Sequence, residues 1–300
     1  MQQAERQSDD SIPWIPAVIV VLIIIGGGYF LLKKEEQPLA PAEQPPPVTR
    51  AKPGIPSELR IPEIKHPVPE APVEIETPIE IEQTLGQPIK KEAKPLPPLD
   101  ESDPSFRDEL NRLFDPEQLD KLFLLRAIIR HFVVTIDNMT EPKLPQKFSI
   151  TRPPAGKFAV NKDSTERMFI DPENYNRYSP YVGFIKALDT RRIVSAYVHY
   201  YPLFQQAYKE VGYPNRYFND RLIEVIDHLL ATPDVQGPVE LVRPKVFYQF
   251  ADPELEALSA GQKILVRIGH DNAVTIKSKL RELRKALATT GTATHNQERP

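Results

Sequence analysis

The chain reads as mainly α: an N-terminal membrane-spanning helix, a disordered proline-rich linker, and one helix-rich globular domain with a few short extended segments. Three observations carry this. Residues 15–32 hold eighteen positions without a charge, closed by Lys33 and Lys34. At about 1.5 Å of rise per residue that stretch spans about 27 Å, close to a bilayer's hydrocarbon thickness. Residues 37–99 then hold sixteen prolines and only two glycines, Gly54 and Gly86. Finally, apolar residues recur at three and four through much of the remainder, the period of helices with a buried face.

The expected divisions are an N-terminal tail (residues 1–12), the span (13–32), the linker (33–99), the globular domain (100–288) and a polar tail (289–300). A cleaved secretory signal is the alternative for the span, with Gly26, Gly27 and Gly28 as the small residues. Tyr29, Phe30, Leu31 and Leu32 carry the apolar run onward to the lysines, and Trp14 and Tyr29 sit near its two ends, where amphipathic rings favour headgroups. An uncleaved anchor is the reading adopted. Arg6 and the amino terminus nearly balance Lys33 and Lys34, so charge alone does not orient it.

The linker contains runs such as Pro45-Pro46-Pro47 and Pro95-Leu96-Pro97-Pro98, which favour polyproline II and carry too few apolar residues for a core. Fully extended, residues 37–99 would reach roughly 195 Å. Five glutamates fall between Glu70 and Glu82, and Lys90, Lys91 and Lys94 follow. Its Pro-x-x-Pro spacings could also serve proline-binding modules, but a spacer is the simpler reading. Anchor, acidic-proline segment, lysine-proline segment and folded domain resemble the layout of TonB-type energy transducers. That resemblance is architectural only, because nothing after Asp100 looks like their C-terminal domain. Proline spacers of this kind suit the space outside a bacterial inner membrane. The expectation is therefore a single-pass inner-membrane protein, N-terminus cytoplasmic and domain periplasmic.

From residue 101 onward 28 basic and 26 acidic residues balance, so no overall field draws the domain to nucleic acid. Cysteine is absent, which excludes disulfides, thiol nucleophiles and cysteine-ligated zinc.

Within the domain, Asp103-Pro104 and Asp115-Pro116 each place an N-cap candidate before a proline. The second is expected to open one long helix, with Leu119, Leu122, Leu125, Ile129, Phe132, Val133 and Ile136 facing the core. Prolines break residues 141–177, where 148–151, 158–160 and 168–170 read as short strands. Ser179-Pro180 opens a helix, and Asp189 caps the next, in which Pro202 implies a kink or a break. Gly212 and Pro214 end it. Leu222, Ile223, Ile226, Leu229 and Leu230 mark another helix, residues 238–250 read as extended, and Asp252-Pro253 and Asp271 cap the last helices.

Three runs resemble an uncharacterised proteobacterial family: residues 132–138 (FVVTIDN), 217–228 (YFNDRLIEVIDH) and 246–255 (VFYQFADPEL). Its members have a single N-terminal span, a proline-rich spacer and a helix-rich domain of unknown function. The resemblance extends over residues 95–287. It implies a Gram-negative origin and supplies no catalytic or binding residues.

Candidate chemistry is sparse. Glu224 and His228 lie four apart on one helix face, a spacing that can present two metal ligands or an acid/base pair. A third ligand or partner, such as His199 or His131, would have to come from another element, so no metal or cofactor is expected. No Gly-x-Ser-x-Gly elbow and no glycine-rich phosphate loop occurs in the domain. The densest aromatic region surrounds Pro202, and Tyr201, Tyr213 and Tyr217 are its candidates for binding a peptide, glycan or helix. Helix packing explains most of that region's spacing. Lys277, Arg281 and Arg284 share a face that could meet anionic lipid, or simply keep the last helix wet. The expected function is non-enzymatic: a binding or scaffold domain held off the membrane, with another envelope protein or polymer as partner. An envelope hydrolase using Glu224, His228 and His199 is the alternative.

Overall fold

The computed structural model describes residues 64–69 and 95–288. The expected anchor, most of the spacer and the tail after Ala288 lie outside the described residues. The described part is mainly helical with one small sheet. Among the described residues, no helix is long and apolar enough to cross a membrane.

The first helix, α1 (Ser102–Leu113), follows a short 3-10 turn at Leu99–Glu101. Asp103 lies inside it and does not cap it, contrary to expectation. Its carboxylate instead reaches across to the amides of Ala127 and Ile128 and caps α3 (Ile128–Asn138). This remote cap belongs to a second correction, since the long helix expected from Asp115 is two. The first, α2 (Pro116–Leu122), is capped by the Asp115 carboxylate on Glu117 and Gln118. The chain then extends. Phe123 bridges Thr151, and the Leu124 amide donates to the Ile150 carbonyl at 2.9 Å. Ala127 turns left-handed, at φ 43°, before α3 begins. Backbone pairing with residues 150–152 replaces the helical hydrogen bonds that the break forfeits. Both helices still bury their apolar faces, so the periodic pattern continues across the gap.

Short helices α4 (Glu173–Arg177) and α5 (Ser179–Lys186) lead to α6 (Thr190–Val211). Helix α6 is capped by Asp189 and runs unbroken past Pro202. Gly212, at φ 126°, ends it in a conformation that side chains resist. Helix α7 (Phe218–Leu230) follows. After the sheet strands come α8 (Pro253–Ala257), α9 (Ala260–Arg267) and α10 (His270–Ala288). Asp271 is the second residue of α10 rather than its cap. Helix α9 opens on a reciprocal capping box between Ser259 and Gln262.

Helix α3 packs on α6 and α7, and α10 packs on α5, α6 and α7. Their buried faces make one core that includes Phe106, Ile129, Phe132, Tyr197, Phe204, Phe218, Ile226 and Leu283. Most of the aromatic region around Pro202 belongs to it: Tyr197, Tyr200, Phe204 and Tyr208 are all buried. Four short antiparallel strands form the sheet in sequence order: β1 (Val160–Lys162), β2 (Met168–Ile170), β3 (Glu240–Val242) and β4 (Gln249–Phe250). Ile170, Leu241, Phe250 and Val266 form a smaller core beneath it. The expected strand at 148–151 is a 3-10 turn (Gln146–Phe148) followed by the isolated bridge at Thr151.

Candidate site at the α6–α7 junction

The turn between α6 and α7 brings three of the sequence candidates, Tyr201, Tyr213 and Tyr217, to one side of the molecule, each half-buried. Gln205 organises it. Its Oε1 accepts from the Tyr201 hydroxyl at 2.9 Å and from the Phe218 amide at 2.8 Å, and its Nε2 donates to the Arg216 carbonyl at 2.8 Å. One side chain of α6 thus fixes the start of α7. Burial pushes the Tyr201 hydroxyl up to about 12; the nearby backbone of Asn219 works against this, and Asp220 and Tyr217 add to it. It stays a neutral donor.

Tyr213 stacks on Tyr208 with ring centroids 4.7 Å apart, and its hydroxyl donates to Asp137 Oδ2 at 3.1 Å. The Asp137 charge, with burial behind it, raises the Tyr213 pKa. Asp137 is the hub. Arg221 donates to its Oδ1 at 2.9 Å, to its carbonyl at 2.7 Å and to Thr140 Oγ1 at 2.7 Å. Arg221 also pairs with Glu224 at 3.0 Å, so Glu224 is tied to a guanidinium.

His228 belongs to a different neighbourhood. Its Nε2 lies 2.8 Å from Ser259 Oγ, and its carbonyl accepts from Gln262 Nε2 at 3.1 Å, so it holds the α9 capping box against the end of α7. Burial first, and then the Arg221 charge, depress its pKa, against a smaller opposing effect of Glu224. His199 is exposed on α6, edge-on to Tyr200 at 4.9 Å between centroids, with Glu109 of α1 nearby. No contact among the described residues joins His199 to Glu224 or His228. Among the described residues, no group of three or more His, Asp or Glu side chains could hold a metal ion. Of the basic face, Lys277 turns inward onto the Thr232 carbonyl, and Arg284 makes an exposed ion pair with Asp227.

The residues that the sequence reading missed are Asn219 and Asp220. A piece of the spacer, residues 64–69, lies against them. Asp220 accepts the amides of Lys65 and His66, at 3.2 and 2.6 Å, on its two oxygens. Asn219 Nδ2 donates to the His66 carbonyl at 2.9 Å. Val68 is half-buried and Pro69 buried. No sequence signal marks this contact, because an Asn-Asp pair in a first helical turn normally serves its own helix.

A separate cleft of about 1050 Å³ opens between the sheet and the start of α10, lined by Asn161, Phe169, Asp171, Tyr175 and His270 among others. None of the sequence candidates lines it.

No curated protein and no solved structure matches the chain. One family model does: the one described as a protein of unknown function, DUF3014, over residues 128–284, more than half of the chain. That match spans α3 to α10 and contains the whole α6–α7 junction, so the chain belongs to the DUF3014 family.

Proposed function

We propose that the chain is a single-pass envelope protein whose helical domain is a non-enzymatic binding or scaffold module, held off the inner membrane by its proline-rich spacer. The observation that carries the binding reading is the seating of a peptide, residues 64–69, by its main chain on the Asn219–Asp220 end of α7. A surface that takes a peptide main chain there is suited to a partner's extended segment. The separation of His199 from Glu224 and His228, and the ties of Glu224 to Arg221 and of His228 to Ser259, support the same side, since acid/base catalysis needs its groups within hydrogen-bond reach of one reacting atom. The charge-free stretch at 15–32 supports the anchor, and the partner is another envelope protein or polymer.

A photo-crosslinking residue at half-buried Tyr217, two positions before Asn219, tests this in living cells. The expected product is one recurring envelope partner in the membrane fraction, at lower yield when the label is moved to exposed Val274. The hydrolase reading wins if no partner is captured and Glu224→Gln or His228→Gln abolishes complementation of a deletion strain.

A further inference from the structure

We propose that Asn219 and Asp220 form a clamp that reads the main chain of a proline-containing segment bent at Lys65 and His66, and that residues 64–69 of the same chain are its occupant. Three hydrogen bonds make the clamp, and all involve backbone atoms of the segment: two amides donate to one carboxylate, and one carbonyl accepts from one amide side chain. The two amides are those of the residues just before Pro67. Of the two, His66 directly precedes proline and is restricted for that reason, and Pro67 and Pro69 have fixed φ, so the segment loses less freedom on docking than an unrestricted one. Buried Pro69 gives it an apolar foot, while Pro67 stays exposed.

Asn219 supplies the third of these bonds. It is fully buried. Its Oδ1 has no hydrogen-bond partner, and among the described residues its side chain's one hydrogen bond is to the His66 carbonyl. With the strap seated, the amide is buried and its one side-chain bond goes to the strap, so this contact offsets part of the cost of burying it. Asp220 departs from the usual pattern in the same way. Both of its oxygens face outward to the strap, where a first-turn carboxylate commonly serves helix amides.

The consequence is a tether with two lengths. Docked, the strap ties the spacer to the domain through residues 70–94; released, it lengthens the spacer and exposes the clamp to a competing extended segment. That last step rests on the binding reading above; the strap itself does not.

The test uses the full chain in detergent micelles. It has no cysteine, so a nitroxide on Ile64→Cys, an exposed position at the head of the strap, reports alone. The unaltered strap should give a slow-motion spectrum that does not change on dilution. His66→Pro removes one clamped amide from a segment outside the helical domain, and Asp220→Ala removes the acceptor. Each should reduce the ratio of docked to free strap by roughly tenfold or more, as for loss of a hydrogen bond to a charged group. His66→Ala keeps both amides and should stay docked. Thermal melting checks that Asp220→Ala folds, and His66→Pro decides if it does not. A fast spectrum in the unaltered chain overturns the proposal, as does a slow one that survives both substitutions. Release by dilution would mean a second copy supplies the strap, and release by His66→Ala would mean the ring is what is read; either also overturns it. The Tyr217 crosslinking result is independent of all four outcomes, so the two readings can fail separately.

Discussion

Arg221 bonds to Asp137, Thr140 and Glu224 at once, and its side chain and that of Asp137 are only 14% and 11% exposed. Burial of this kind separates it from the surface pairs, such as Arg107 with Asp120, which are about half exposed. Removing one member of a buried pair leaves the other charge stranded, so Arg221→Ala should lower stability by roughly 3–5 kcal/mol. Arg107→Ala should cost no more than about 1 kcal/mol. Urea melts of both variants make the comparison, and equal costs would mean water reaches the Asp137 hub. Histidine supplies the pH dependence. His228 and His131 both have lowered pKa values, with burial the largest cause in each. Above the unfolded value of about 6.5 both are neutral folded or unfolded, and nothing is lost. As pH falls below that value the unfolded chain takes up protons first, so stability drops until the folded pKa values are passed. The melting temperature should therefore fall between pH 7 and pH 5. The double variant His131→Gln with His228→Gln should show a shallower fall, and an unchanged slope would assign the effect to carboxylates.

At the scale of elements, the helical stripes of α5, α6, α7 and α10 are readable from spacing, because each buries one continuous face in the main core. Asp115, Asp189 and Asp252 are readable as caps for the same local reason: each side chain serves amides two or three residues ahead. What escapes is non-local. The break between α2 and α3 has no proline or glycine to announce it, since its hydrogen bonds come from residues 150–152 and its cap from Asp103, more than twenty residues upstream. Tyr201, Tyr213 and Tyr217 were visible as an aromatic excess, whereas Asn219 and Asp220 gain their role only from a segment about 150 residues distant. Asp103→Ala should cost about 1–2 kcal/mol, the loss of an N-cap, although it lies in a different helix from the one it caps. Loss of the α3 amide protection in hydrogen exchange would locate the damage; loss confined to α1 would refute the remote cap. Ile129→Asp places a charge at a position 1% exposed in α3 and should abolish the cooperative melt. Gly261 marks a closer constraint. An added Cβ would come within 2.6 Å of Leu229 and 2.9 Å of the Met139 carbonyl. Gly261→Ala should therefore destabilise the α7–α9 contact by roughly 1–3 kcal/mol, and a neutral result would mean α9 can slide.

For the whole molecule, what matters is where the spacer ends and, on the proposed anchoring, which side of the membrane the domain would occupy. Leu99 is 5% exposed and Leu96 packs against the core, so the folded unit takes in the end of the proline-rich stretch. A fragment from residue 95 should accordingly melt higher than one from residue 101. Orientation is the larger question, because a partner in the envelope requires the domain to be outside the cytoplasm. The positive charges at the two ends of the apolar stretch nearly tie, so the proposed orientation rests on the spacer: a stretch of sixteen prolines would suit an anchored domain working away from a membrane. Trypsin added to intact spheroplasts tests this at bonds the sequence supplies, after Arg50, Arg60 and Lys90. Cutting there should release a soluble fragment carrying α1 to α10, while a cytoplasmic marker stays whole. If the chain is cut only after detergent opens the membrane, the domain faces the cytoplasm. An envelope partner then becomes impossible, and the Asn219–Asp220 clamp would have to find its competing peptide among cytoplasmic proteins.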